Sequence, residues 1–203
     1  NCRRSICLAE EFCNQTMTMQ TRIIDIAEDL VRKRGYNGFS YSDIAHEVAT
    51  SKAAIHYHFS KKADLGLVLI ERFTGVEMSV MRAIACSRSS HAEKLSAYFA
   101  LYDASLAENK MCLCGIMAAE HATLTDELQQ ALMDFFDMHV RWLSQLLRDG
   151  CAAGEFDIDG PMEDHAQTIL SSMQGALMIA KATNDHLAID CAGRALLDRY
   201  CQR

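Results

Sequence analysis

Residues 39–65, FSYSDIAHEVATSKAAIHYHFSKKADL, decide the fold, because they encode two short helices separated by a tight turn. Ser42 can cap the first helix, since its hydroxyl can accept a hydrogen bond from an otherwise free backbone amide. Residues 49–52 are too polar to continue the apolar face of that helix. The residues that form this face at helical spacing are Ile44, Ala45 and Val48.

The second short helix follows Ser51, which can cap it in the same way. Ala54, Ile55 and Phe59 give this helix a buried side. A short helix with a buried back and an exposed row of cationic, aromatic and hydrogen-bonding groups suits the major groove of DNA. The candidate DNA-contacting residues are Ser40, Ser42, Ser51, Lys52, Ala53, Ala54, His56, Tyr57, His58, Lys61 and Lys62.

Charge is distributed unevenly along the chain, whose formal net charge is −7. Residues 17–62 hold seven Lys and Arg against five Asp and Glu, whereas residues 63–203 hold eleven against twenty. A mildly basic segment on an acidic body indicates that one end alone contacts nucleic acid. Lys61 and Lys62 lie at the start of the next helix, where they can touch backbone phosphates and add affinity without sequence information.

Composition favours long helices, because 203 residues contain one proline and ten glycines. No run approaches the roughly 18–20 apolar residues that a bilayer requires, so we expect a cytoplasmic protein with no membrane contact. Nine cysteines are an odd number, which argues against a disulfide framework. Nothing in the sequence calls for a cofactor.

Helical periodicity extends over most of the chain and predicts three regions. Residues 1–16 show weak periodicity and are expected to be a mobile N-terminal extension. Residues 17–62 form the three-helix unit around the quoted stretch, and residues 63–203 form a helical body. The predicted helices outside the quoted stretch span about 18–34, 63–86, 91–108, a short helix to 121, 125–153, 161–184 and 186–200.

The quoted stretch resembles the TetR family of bacterial transcriptional regulators. The match consists of a serine before Asp-Ile-Ala, a turn, Ser-Lys, an aromatic-His-aromatic cluster and a lysine that enters the next helix. In this chain these are Ser42, residues 43–45, Ser51 with Lys52, residues 55–59, and Lys62. The family often has glycine in the turn. Here Ala49 stands there, so we expect a tighter turn in the right-handed region, and the usual tyrosine position holds His56, with Tyr57 next to it.

The resemblance implies an all-α homodimer of about nine helices per chain. Its first three helices would bind double-stranded operator DNA, and its C-terminal helices would form a pocket for a small-molecule effector and a dimer interface. Effector binding would tilt the helix after Lys62 and spoil the spacing of the two DNA-reading units. DNA and effector affinities would then be reciprocally coupled.

Small residues on the last two predicted helices fit a four-helix dimer bundle, although close packing within one subunit is the alternative. They are Ser171, Ser172, Gly175, Ala176, Ala180, Ala188, Ala192, Gly193 and Ala195. Large apolar and aromatic residues elsewhere in the body can line an effector pocket or simply fill the core. The pocket candidates are Tyr98, Tyr102, Cys112, Met117, Phe135, Met138, His139, Trp142, Met173, Leu177 and Lys181.

Cys112 is the candidate reactive thiol, because it should start a short helix, where amide dipoles can lower the pKa of a thiol. Family members that answer electrophiles or oxidants resemble this chain at Cys112 and Lys181. Inert cysteines are the alternative, as is a metal site formed by Cys112, Cys114, His121 and His139. The spacing of those four residues shows no C-x-x-C or H-x-x-x-H pattern.

The function that explains the quoted stretch is a DNA-binding transcriptional regulator, expected to be a repressor. It would be released from its operator by a small-molecule effector or by cysteine modification. A small helical enzyme is the runner-up, with Cys112 as nucleophile and His121 or His139 as base. A helical interaction module is a third possibility. An enzyme does not account for the pattern at residues 51–62.

Overall fold

Nine α-helices account for most of residues 18–201, the part of the chain that the computed structural model describes. The predicted all-α fold is therefore confirmed, and the predicted extension at residues 1–16 lies outside the described residues. The helices are α1 Met19–Arg34, α2 Tyr41–Val48, α3 Lys52–His58, α4 Lys62–Cys86, α5 His91–Ala107, α6 Leu113–Ala118, α7 Asp126–Ala152, α8 Met162–Thr183 and α9 Leu187–Tyr200, with a 3-10 turn at His121–Thr123 between α6 and α7.

The first helix begins and ends where its sequence provides caps. The Thr18 hydroxyl accepts a hydrogen bond from the Thr21 amide, and the chain leaves the helix at Gly35, whose φ of 88° favours glycine. Three cations in the last turn complement the helix dipole. The buried stripe of α1 consists of Ile23, Ala27, Leu30 and Val31.

Helix α4 joins the N-terminal three-helix unit to the body, since it packs against α1 at one side and against α5, α6 and α7 at the other. Helices α7, α8 and α9 pack in succession, and α5 lies against all three. Short α6 touches α1, so the body reaches the N-terminal unit by a second route. Within residues 18–201, none of the helices has both the length and the apolar character needed to cross a membrane.

Candidate nucleic-acid interface and inner cavity

Ser40, rather than the predicted Ser42, is the capping residue of α2. The Asp43 carboxylate accepts hydrogen bonds from the Ser40 amide at 2.7 Å and from its hydroxyl at 2.6 Å. This arrangement fixes the first turn one residue before Ser42, whose side chain is exposed on the helix surface. The predicted cap is thus corrected, although Ser42 keeps its outward position beside α3.

The turn between α2 and α3 is left-handed, which corrects the expectation that Ala49 is right-handed. Ala49 has φ 56° and ψ 52°, in the region that glycine usually occupies. The chain must reverse here so that the Thr50 amide can donate to the Ala45 carbonyl at 2.9 Å. That bond ends α2 and sets the direction from which α3 starts.

Helix α3 presents an exposed row and a buried anchor. The Ser51 hydroxyl accepts from the Ala54 amide at 3.2 Å, as predicted, and Ile55 with Phe59 holds the helix in the core. Tyr57 is 87 % exposed. The exposed candidates are Ser40, Ser42, Ser51, Lys52, Ala53, His56, Tyr57 and Lys61, while Ala54 and His58 are half-buried.

Lys62 points inward, which corrects its predicted contact with phosphate. Its ammonium donates to the carbonyls of Tyr36 and Phe39 at 2.6 Å each, and it lies over both rings. Partial burial lowers the pKa of Lys62, with Glu120 and Asp43 opposing that shift. The residue therefore ties the start of α4 to the turn after α1. Lys61 remains exposed and free to meet a phosphate.

An inner cavity of about 20 Å³ lies between α4, α5, α6, α7 and α8, with room for about one water molecule. Of the predicted pocket residues, Tyr98, Tyr102, Cys112, Phe135 and His139 line it. The remaining predicted residues lie elsewhere in or near the core, and they are Met117, Met138, Trp142, Met173, Leu177 and Lys181.

Three polar side chains form a buried chain beside the cavity. The Tyr98 hydroxyl lies 3.3 Å from that of Tyr102 and 3.0 Å from Nδ1 of His139. Burial raises the pKa of both tyrosines and lowers the pKa of His139 to about 4, so all three are neutral near pH 7. Nε2 of His139 has no hydrogen-bond partner within residues 18–201.

Cys112 lines the cavity, but burial raises its pKa, which corrects the expected lowering. Contacts with Gln174 and with the amides of Gly115 and Cys114 work in the opposite direction and are outweighed. Lys181 is not a cavity residue, because its ammonium donates to the backbone carbonyl and side-chain oxygen of Asn109.

Five further cavity residues were not predicted from the sequence: Phe73, Glu77, Leu101, Ser105 and Gln174. Glu77 could have been found, since it lies on a long helix at the helical spacing of the buried residues Phe73 and Met81. Arg32 was also missed as a contact of the cavity wall, because the sequence shows only a basic cluster at the end of α1. In the described part of the chain, no three His, Cys, Asp or Glu side chains come together as a metal site.

Comparisons with known proteins cover both halves of the chain. Residues 23–67 match "Bacterial regulatory proteins, tetR family", and residues 91–196 match "Tetracyclin repressor-like, C-terminal domain". The HTH-type transcriptional repressor DhaR of Mycobacterium sp. (strain GP1) is 24 % identical over 173 residues, which are 85 % of this chain and 87 % of that protein.

Two solved structures share the fold over most of their length. A TetR-family transcriptional regulator from Agrobacterium tumefaciens superposes with a TM-score of 0.87 at 26 % identity, covering 90 % of this chain and 97 % of the other. A TetR transcriptional regulator from Legionella pneumophila gives a TM-score of 0.82 at 30 % identity, with the same coverage of each chain.

Proposed function

Because the chain belongs to the TetR family of DNA-binding transcriptional regulators, we propose that it is a repressor that holds operator DNA as a homodimer. A small molecule that enters the inner cavity releases it. Residues 17–62 form the DNA-binding domain and residues 63–203 the effector-binding and dimerisation domain. The protein acts in the cytoplasm, where bacterial DNA lies.

DNA recognition by α3 is supported by which side chains are exposed. His56 and Tyr57 are exposed on its outer face, and Lys52 lies at its start. Side chains in this arrangement can reach base edges in the major groove, whereas Lys61 and the hydroxyl of Ser42 can reach phosphates. The Ser40 hydroxyl already donates to Asp43. The exposed residues therefore have two roles: those on α3 read the base sequence, and the others position the protein on the DNA backbone.

Dimerisation through α8 and α9 is supported by their exposed apolar side chains. Met178 and Ile179 are 54 % and 58 % exposed on α8, and Leu187 is 58 % exposed at the start of α9. A Cβ added at Gly175 would meet no atom within 4 Å, so the helix surface beside Met178 and Ile179 is open to close approach by a partner helix. Dimers are typical of the family.

The observation that carries the regulatory part of the proposal is the contact of Arg32 with the cavity wall. Arg32 belongs to α1, yet its Nε donates to the Met111 carbonyl at 2.9 Å and its Nη2 to the Ser105 hydroxyl at 3.1 Å. Its guanidinium also lies 5.3 Å from the centre of the Phe73 ring. Ser105 and Phe73 line the cavity. A molecule that displaces this wall therefore moves a side chain of the DNA-binding domain.

A second joint connects the same two parts of the molecule. The Asn37 amide donates to the Glu120 carboxylate at 2.9 Å, and the Asn37 side chain donates to the Thr123 hydroxyl at 2.7 Å. Lys62 closes the turn from the α4 side. Tilting α4 thus changes the position of the DNA-binding domain through Lys62, while Asn37 ties the same turn to the segment between α6 and α7.

Selection of binding sites from random duplexes tests the homodimeric repressor. A two-fold dimer should enrich a palindrome whose half-sites are separated by about one helical turn, roughly 34–36 Å, or a multiple of it. Enrichment of a single half-site, or of no sequence, would contradict the proposal.

Modification of Cys112 is the second route to release. Its burial and raised pKa mean that the thiol must first be uncovered before it can react as a thiolate. Cys112→Ser should abolish operator release by N-ethylmaleimide, whereas Cys86→Ser, at an exposed position at the end of α4, should leave it intact. Unchanged release in Cys112→Ser would rule out this route.

The enzyme alternative gains no support from the cavity. His139 lies beside Cys112 in the wall, but a base with a pKa of about 4 is poorly matched to proton transfer near pH 7. Its Nδ1 is also occupied by the Tyr98 hydroxyl.

A further inference from the structure

Glu77 gives the inner cavity a carboxyl group that no neighbouring side chain in the described residues pairs with directly. Its carboxylate forms neither an ion pair nor a hydrogen bond within residues 18–201, and it lines the cavity. Burial raises the pKa of Glu77, and the guanidinium of Arg32 opposes that shift from a distance. The Arg32 donors that face the wall are used by Met111 and Ser105. An unpaired carboxylate in a partly dry site favours a cation as its partner.

Aromatic residues share the lining of the cavity with Glu77. The cavity is lined by the rings of Phe73, Tyr98, Tyr102 and Phe135, whose faces attract cations through their quadrupoles. His139, which is 3 % exposed, adds no positive charge because burial holds its pKa near 4. Nε2 of His139 has no hydrogen-bond partner in the described residues, so a ligand in the cavity can form a hydrogen bond with it.

An outer groove adjoins the cavity and offers room for the rest of a ligand. This groove, of about 440 Å³, runs between α4 and α7, and Phe135 lines both it and the inner cavity. Met78 and Met138 make it apolar and adaptable. Two carboxylates, Glu71 and Asp134, face a single guanidinium, Arg141, along it. The groove thus combines apolar area with a net negative charge.

We propose that the inner cavity binds the ammonium head of a small lipophilic organic cation, with Glu77 as its counter-ion and the outer groove holding its apolar tail. The proposal rests on the proposed function, because it names the class of the effector. The cavity enlarges from its present volume as the Phe135 ring turns aside and joins it to the groove. An anionic ligand is disfavoured, since it would meet Glu77 without a free cation beside it.

Titration calorimetry with three matched probes tests the charge preference of the unmodified protein. Phenethylammonium, phenethyl alcohol and phenylacetate share one ring and differ in charge. We expect the cation to bind at least about tenfold more tightly than the alcohol and the anion to bind most weakly. Trp142, the one tryptophan of the chain, stacks on Tyr98 at 5.5 Å, so its fluorescence should change with the cation. Equal affinity for the cation and the alcohol would overturn the proposal.

The variant Glu77→Gln should lose about tenfold or more of the affinity for phenethylammonium and none for phenethyl alcohol. The matched control is Glu47→Gln, which removes the same charge from an exposed position on α2 and should leave both affinities unchanged. Undiminished cation affinity in Glu77→Gln would overturn the assignment of the counter-ion.

Operator binding, measured on the same samples without a probe, separates this inference from the proposed function. Normal operator binding without a charge preference overturns the inference alone. Absence of operator binding overturns the proposed function instead. Release of operator DNA by phenethylammonium, and not by phenethyl alcohol at the same concentration, supports both.

Discussion

Ala49 carries a Cβ into a backbone conformation that favours glycine, and this single residue sets the angle between α2 and α3. A left-handed residue other than glycine costs about 1–2 kcal/mol, whereas glycine loses more entropy on folding. We expect Ala49→Gly to raise the free energy of unfolding by about 0.5–1 kcal/mol, as measured by urea denaturation. The control Ala97→Gly, inside α5, should lower it by about 1 kcal/mol. A loss of stability in Ala49→Gly would contradict the observed turn.

His139 makes the stability of the protein depend on pH. Its pKa is lowered to about 4 in the folded state, against 6.5 for an unperturbed histidine, so the unfolded chain binds the proton first as the pH falls. The contribution of His139 is fully present above pH 6.5 and is lost between about 6.5 and 4, with a slope of up to about 1.4 kcal/mol per pH unit. The free energy of unfolding of His139→Gln should fall less steeply over this range. Equal slopes for both proteins would contradict a neutral, buried His139.

At the scale of elements, two adjacent lysines at the start of α4 have different roles. Lys61 is exposed, and Lys62 is held by two carbonyls and two rings. Lys61→Met should weaken DNA binding for all sequences and reduce the salt slope by about one per subunit, with unchanged stability. Lys62→Met should instead lower the melting temperature, because it leaves the carbonyls of Tyr36 and Phe39 without their donor.

Salt titrations by fluorescence anisotropy and thermal melts distinguish the two variants, and each serves as the control for the other. An unchanged melting temperature in Lys62→Met would contradict its inward role.

Most helices could be predicted from the sequence to within a residue or two, because periodicity and caps are local signals. The exception is α6, which ends at Ala118 and not near residue 121. The direction in which side chains point at the start of a helix could not be predicted from the sequence. Lys61 and Lys62 look alike in sequence, and only the carbonyls at Tyr36 and Phe39, more than twenty residues away, decide which one turns inward. Arg32 was missed for the same reason, since its contacts with Met111 and Ser105 depend on the packing of α1 against α4 and α6.

At the scale of the whole molecule, the apolar surface of α8 and α9 determines whether two DNA-binding domains act together. Ile179→Glu places a charge in the middle of this surface and should yield monomers in sedimentation velocity, with operator affinity greatly reduced because the second half-site is lost. Met133→Glu changes an equally exposed apolar residue, which is on α7, and should leave the dimer intact. Dimers of normal affinity in Ile179→Glu would show that another surface joins the subunits.

Reading of operator DNA by α3 is tested most directly by measuring the binding of the full chain to duplex DNA from its own promoter over a range of salt concentrations. We predict tight binding at low salt, with log K falling linearly against log salt by about 0.9 for each phosphate contact. His56→Ala should reduce the preference for that duplex over a scrambled one without changing the slope. Absence of binding at low salt, or binding that is insensitive to both salt and sequence, would contradict this role of α3.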